Sequence, residues 1–294
     1  MGLQRTPESR FDDISNYPYD PQFVEVDDAR MAYVDVGEGD ETFLCLHGEP
    51  TWGFLYRKLV PTLREAGRVV VPDAIGFGRS DKFDMAEAYS VDAHYDALVT
   101  FLETLDLRDV TLVGQDWGGI LGLSAAAHHP NRFRRLVPMN TGLPDGSTGM
   151  PDIWHQFRQF VESVDELRIG DLVDNGCITE LEDRVRAGYD APFQSETVKA
   201  GARTWPGLIP LSPDDPGADL IGATRERLAS WENPAFVLFS DSDPITGPAR
   251  DDLRSLIPTA TEQPDTWIEG AGHFLQEDAG EAVAEEIVAF VART

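Results

Sequence analysis

Asp116 stands between Gly114 and Gly118 in the run Val110-Thr111-Leu112-Val113-Gly114-Gln115-Asp116-Trp117-Gly118-Gly119, where a β-branched stretch ends and a small-residue helix begins. A chain that turns from strand to helix around one outward-held residue needs small neighbours two before and two after it. The spacing is that of a nucleophile elbow, with a carboxylate at the apex in place of the usual serine. A carboxylate can attack a saturated carbon directly and leave an alkyl ester, so that a histidine is then needed only to activate water against that ester. The competing reading, in which Asp116 merely caps the helix that starts here, leaves the paired glycines without a purpose.

Two residues further along supply the rest of such a centre. Asp243, in Phe239-Ser240-Asp241-Ser242-Asp243-Pro244, follows an apolar run, and His273, in Gly270-Ala271-Gly272-His273-Phe274, precedes the final helical pattern. The chain order is nucleophile, acid, base. An acid that accepts a hydrogen bond from the imidazole fixes its tautomer and stabilises the imidazolium as it forms. Asp241 competes with Asp243 for this role, and either could be only a turn former ahead of Pro244. His128 and His129 close a helix, where a solvated or dipole-facing position accounts for them, and His94 and His155 take the same structural reading. The stretch His47-Gly48-Glu49-Pro50 could be an ordinary turn. It also stands where a second backbone donor is needed, so the amides of Glu49 and Trp117 are the candidate oxyanion hole.

The elements that must position these groups alternate between strand and helix. Residues 1–20, with Pro7 and Pro18, read as an arm lying on the surface. Phe23–Asp27 and Met31–Val36 alternate with period two around Asp27-Asp28, which predicts a hairpin. Thr42–Leu46 and Arg68–Pro72 are continuously apolar, as in strands covered on both faces. A helix is expected from Gly53 to about Ala66, ended by Gly67, and another from the Ser90 cap to about Leu105. Phe133–Met139 is the next strand. From Asn140 to Trp231 the pattern is helical and broken by Pro144, Gly149, Pro192, Pro206 and Pro213, which marks an inserted helical segment. Alternation resumes with a strand at Ala235–Ser240, a helix near Pro248–Leu256, a strand near Thr261–Ile268 and a last helix to Arg293. The expected organisation is an α/β core in two parts, residues 1–139 and 232–294, with a helical cap at 140–231. Its sheet is mostly parallel and the site lies at the strand ends. The loop Asp73-Ala74-Ile75-Gly76-Phe77-Gly78-Arg79-Ser80 lacks the glycine spacing of a dinucleotide site, so no cofactor is read there.

Composition narrows the partners. The 294 residues hold 52 acidic and 24 basic side chains, a net charge of −28, which argues against nucleic acid or an anionic membrane as partner. With 41% hydrophobic residues the chain is an ordered protein. Lysine occurs only at Lys58, Lys82 and Lys199. Carboxylate excess with scarce lysine resembles the proteins of salt-accumulating halophiles, because self-repulsion on this scale needs screening. Cys45 and Cys177 imply no disulfide framework. Neither an apolar leader nor a membrane-length apolar run is present, so a soluble, cytoplasmic protein is expected.

Together the stretches Leu44–Trp52, Asp73–Lys82, Gly114–Gly119 and Gly270–Glu277 resemble the haloalkane dehalogenases of the α/β-hydrolase superfamily, over nearly the whole chain from about Pro21 onward. The likeness is closest to the branch with Glu after His-Gly and with its acid after the first strand beyond the cap. It implies an α/β-hydrolase sandwich with a mostly parallel central sheet and an inserted α-helical cap. It also implies a leaving halide held by two indole N–H groups, one from Trp117 and one from Trp154 near the start of the cap, with Trp205 as competitor for the second place. Indole donates but cannot accept, and is large and apolar, which suits a weakly hydrated anion in a dry pocket. The implied reaction takes a small halogenated alkane and water to alcohol, halide and a proton through an alkyl ester of Asp116, with no metal or organic cofactor. An epoxide hydrolase would share Asp116, Trp117 and His273 but needs cap tyrosines, and only Tyr189 lies in the insertion. A fluoroacetate dehalogenase would carry Arg at the place of Trp117. A ligand receptor of the same fold would have no use for Asp116, Asp243 and His273 together.

Overall fold

The structure, a computed structural model, describes residues 2–294. At its centre is a six-stranded sheet made of β1 (Gln22–Val26), β2 (Ala29–Val36), β3 (Thr42–Leu46), β4 (Arg68–Pro72), β5 (Val110–Gln115) and β6 (Phe133–Met139). In space the order is β1-β2-β4-β3-β5-β6, with the first two pairings antiparallel and the other three parallel. The parallel strands are covered on both faces, and Phe43, Leu44, Val69, Val70, Leu112 and Val113 are wholly buried, which is why they read as unbroken apolar runs. The β1–β2 hairpin turns at Asp27, whose φ of 50° lies in the left-handed region that Asp tolerates better than most residues.

Helices cover the sheet. α1 (Val60–Ala66) is only the second half of the helix expected from Gly53, because Gly53–Lys58 winds as a 3-10 segment and Pro61 falls in the first turn of α1, where its missing N–H costs nothing. α2 (Val91–Thr104) starts at Ser90, whose hydroxyl accepts the Ala93 N–H at 3.1 Å. α3 (Trp117–His128) leaves directly from the end of β5. Between β6 and the next strand come α4 (Asp152–Ser163), α5 (Ile169–Asn175), α6 (Asp183–Asp190), α7 (Ala200–Thr204) and α8 (Ala218–Leu228), with no strand among residues 140–231.

The last part of the chain departs from expectation at two strands. The run Ala235–Leu238 lies beside β6, with Phe236 N–H on the Leu136 carbonyl at 2.8 Å and Leu238 N–H on the Pro138 carbonyl at 3.1 Å. Pro138 has no N–H to return, so the ladder is incomplete and only β7 (Phe239–Ser240) is regular. The strand expected over Thr261–Ile268 shrinks to β8 (Trp267–Ile268), parallel to β7, because Pro258–Glu262 winds as a 3-10 turn and Pro264 follows. α9 (Arg250–Leu256) lies between them, and α10 (Leu275–Arg293) ends the fold.

The N-terminal arm is more than a surface strap. Leu3–Gln4 pairs with Lys82–Phe83, and Phe11 and Tyr17 are buried edge-on to Trp52, at centroid distances of 5.6 and 5.4 Å. Burying an aromatic ring contributes about 1.5–3 kcal/mol, enough to anchor a segment whose regular structure is a two-residue strand and the 3-10 turn Glu8–Arg10.

Candidate active site

The loops that leave β3, β5, β7 and β8 meet at the carboxyl ends of the parallel strands. At the end of β5 Asp116 adopts φ 52° and ψ −124°, a conformation that destabilises a non-glycine residue by roughly 1–3 kcal/mol. Hydrogen bonds to its backbone hold it there. Its N–H donates to the Asn140 carbonyl at 3.0 Å, and its carbonyl accepts the Gly119 N–H at 2.9 Å and the Thr141 hydroxyl at 2.7 Å. The flanking glycines are sterically required: a Cβ on Gly118 would fall 2.1 Å from the Leu46 carbonyl oxygen, and one on Gly114 2.7 Å from that of Gly118.

The Asp116 side chain makes no capping bond to α3. Its Oδ1 instead accepts the Glu49 N–H at 2.7 Å, and the Trp117 amide is near enough to favour the charged carboxylate. Of the two amides named from the sequence, that of Glu49 is hydrogen-bonded to the carboxylate itself. Burial pushes Asp116 above the usual carboxylate range, and His273 with the two amides pulls part of the way back. The result is a poorly solvated anion.

His273 stands opposite. Its Nδ1 lies 3.0 Å from Asp243 Oδ2, and its Nε2 is 3.8 Å from Asp116 Oδ2. Asp243 Oδ1 accepts the Ile245 N–H at 2.8 Å and the Thr246 N–H at 3.3 Å, and its Oδ2 accepts the Thr246 hydroxyl. Burial alone would raise Asp243, but His273 and these donors outweigh it and hold the carboxyl below its ordinary value. For His273 burial works against the charged ring, and the Asp243 carboxylate, then Asp116, overcome it to raise the imidazole. Asp241, the competitor, accepts from Gly270 N–H and the Ser242 hydroxyl and makes no contact with the imidazole.

Asp116 and His273 line a cavity of about 900 Å³ together with Trp154, Phe157, Leu172 and Ile209. Trp117 and Trp154 both line it. Trp205 is placed differently. Its N–H donates to His94 Nε2 at 2.6 Å, and its ring packs 4.2 Å from Phe77 and 5.5 Å from Trp117 without lining the cavity. Burial drives His94 down to about 3 and His47 down to about 4, so both rings are neutral acceptors. Tyr189 is buried with its hydroxyl on Glu277, and no tyrosine lines the cavity among the described residues. The Asp73 loop is closed on itself: its carboxylate accepts the Gly53 N–H at 2.7 Å and the Arg79 N–H at 2.8 Å.

Spacing did not point to Asn140, Thr141, Thr246 or Gln115. Asn140 bridges the elbow to the histidine loop, its Nδ2 donating to the Ser240 hydroxyl at 2.8 Å and to the carbonyls of Gly272 and His273 at 3.0 Å each. Its own φ is 34°. A left-handed Asn after an apolar strand is the sole local trace of that role, and dihedrals are not written in the sequence.

Comparison with known proteins bears on this geometry. A family profile for the alpha/beta hydrolase fold matches residues 41–190. The chain is 41% identical to a haloalkane dehalogenase of Psychrobacter cryohalolentis over 99% of its own length and 98% of that protein's. It is 44% identical to haloalkane dehalogenase 1 of Mycobacterium tuberculosis, with 99% of each chain covered. Its structure superimposes on that of the tetrameric haloalkane dehalogenase DpaA from Paraglaciecola agarilytica with a TM-score of 0.91 at 38% identity, covering 97% of both chains.

Proposed function

Because the chain belongs to the haloalkane dehalogenases of the α/β-hydrolase superfamily, a hydrolase of carbon–halide bonds, we propose that it acts in two covalent steps on Asp116. Asp116 Oδ2 attacks the sp³ carbon, the carbon–halogen bond breaks, and its electron pair leaves with the halide toward the indole N–H groups of Trp117 and Trp154. The other carboxylate oxygen, Oδ1, becomes the ester carbonyl oxygen and already sits on the Glu49 amide at 2.7 Å. A water then attacks the ester carbon while His273 Nε2 takes its proton, and Asp243 stabilises the imidazolium. The oxyanion on Oδ1 is held by the amides of Glu49 and Trp117. As it collapses the ester C–O bond breaks, the imidazolium gives its proton to the leaving alkoxide to form the alcohol, and the water's other proton, left on Asp116, passes to solvent.

The observation that carries this reading is the division of labour on one carboxylate. Oδ1 is bound by the backbone, whereas Oδ2 faces the base at 3.8 Å, too far for a direct hydrogen bond, so the attacking oxygen is left free and the imidazole stands beside the place where the ester forms. Hydrogen bonds to a charged group contribute about 1.5–3 kcal/mol each, so two indoles lower the first barrier by roughly 3–6 kcal/mol. Trp154 is preferred to Trp205 because the latter's donor is committed to His94. Epoxide hydrolysis is disfavoured by the absence of a cavity tyrosine among the described residues. In the same proposal residues 140–231 act as a cap over a core built from 1–139 and 232–294, and the net charge of −28 suits a cytoplasm rich in salt. Incubation with a panel of bromoalkanes and epoxides, reading bromide and diols, tests the reaction class. Bromide without diols is expected, and diol formation in the absence of bromide release would reverse the assignment.

A further inference from the structure

We propose that Gln115 is a positioning residue for the hydrolytic step: its side-chain amide donates to Nε2 of His273 and holds the base neutral, with its lone pair off Asp116, until the ester exists. The proposal rests on the two-step reading above and adds to it a residue outside the acid, base and donors already placed. Gln115 is wholly buried as the last residue of β5. Its Nε2 lies 3.1 Å from His273 Nε2 and 3.3 Å from the His273 carbonyl oxygen. A carbonyl can only accept, and the ring nitrogen opposite is the one that Asp243 leaves unprotonated by taking the Nδ1–H. The amide nitrogen, not its oxygen, must therefore face the ring.

Packing alone does not explain an amide at this position. Among the described residues Gln115 Oε1 is buried without a partner, and an unsatisfied buried acceptor destabilises a fold, so an apolar residue of the same shape would serve packing better. The amide has an electrostatic use. Two carboxylates press His273 toward the charged form, Asp243 at 3.0 Å and Asp116 at 3.8 Å. A protonated ring in the free enzyme would pair with Asp116, quench the nucleophile and leave no base for the ester. A donor aimed at Nε2 stabilises only the neutral ring and so opposes both carboxylates. The other titratable groups around the ring are already settled. Glu49 is pushed well above the usual carboxylate range by burial and then by Asp116. Glu277 on α10 is paired with Arg57, with Arg57 Nη2 2.6 Å from its Oε2, and Asp278 Oδ2 accepts the Gly272 N–H at 2.8 Å. Cys177 is raised by burial and stays a thiol.

The test follows the ring nitrogens of His273 by ¹⁵N NMR in the full chain, with Gln115→Leu and Gln115→Glu beside the parent. The parent should show a neutral ring protonated on Nδ1. Both variants should titrate at higher pH, by about one unit for Leu as the value of one hydrogen bond, and by more for Glu, which replaces the donor with an acceptor. In single-turnover hydrolysis of the alkyl ester the acid limb should move up by the same amount. The isosteric Gln115→Glu keeps the comparison alive if the Leu variant does not fold. A parental His273 titration in a folded variant, or a parent ring protonated on Nε2 at neutral pH, overturns the proposal. The NMR arm needs no substrate, so it fails independently of the two-step reading, which fails instead if the parent forms no alkyl adduct.

Discussion

Replacing Trp154 by Phe removes one N–H while keeping an aromatic ring at the first turn of α4. In the proposed alkylation the charge on the departing halide grows between Trp117 and Trp154, and loss of one charge-assisted hydrogen bond worth about 1.5–3 kcal/mol slows carbon–halogen cleavage by roughly 10- to 150-fold at 1.36 kcal/mol per decade. The side chain also packs, with its ring 5.0 Å from that of His155 and the Arg158 guanidinium 5.8 Å from its centroid, and it is only 4% exposed. Shortening the ring therefore lowers the melting temperature as well. The two effects separate in a rapid-quench measurement of the bromide burst at saturating 1-bromobutane, because lost packing does not act selectively on the cleavage step. Halide quenching of tryptophan fluorescence should weaken in parallel. Trp205→Phe is the matched control: its donor is held by His94 at 2.6 Å, so it should leave the burst and the halide affinity near parental values. A parental burst in Trp154→Phe, or a larger loss in Trp205→Phe, would refute the assignment of the second donor and move it to the other side of the cap.

Two further predictions use the same protein. His273→Ala should stop the reaction after alkylation, because the imidazole enters only when water attacks the ester, and intact mass after addition of a bromoalkane should show a stable adduct that peptide mapping places on Asp116; an unmodified chain would sink the covalent sequence. Molar salt should raise the melting temperature, since screening shortens to about 3 Å at 1 M and relieves the repulsion of a chain carrying −28; equal thermal stability in low and high salt would remove the argument for a salt-rich medium and leave the reaction untouched.

What could be read from the sequence was local. The parallel strands β3, β4 and β5 are visible because burial on both faces removes alternation, and the Asp116 turn because its glycines answer a clash within a few residues or with the neighbouring strand. Legibility fails where the deciding partner is remote. β7 is cut short by Pro138, a hundred residues earlier, which has no N–H to complete the ladder. Trp154 and Trp205 are equivalent as residue types, and only the bond to His94, 111 residues away from Trp205, takes one of them out of the cavity. Asn140 and Gln115 sit at strand ends, where a polar residue needs no explanation. Their amides nevertheless reach His273 across 133 and 158 residues of chain. Neither propensity nor spacing encodes such a contact, because it depends on two loops meeting at the same edge of the sheet. Residues that hold a reacting group in place by side-chain hydrogen bonds are thus harder to find than the reacting group itself, whose backbone geometry constrains its immediate neighbours.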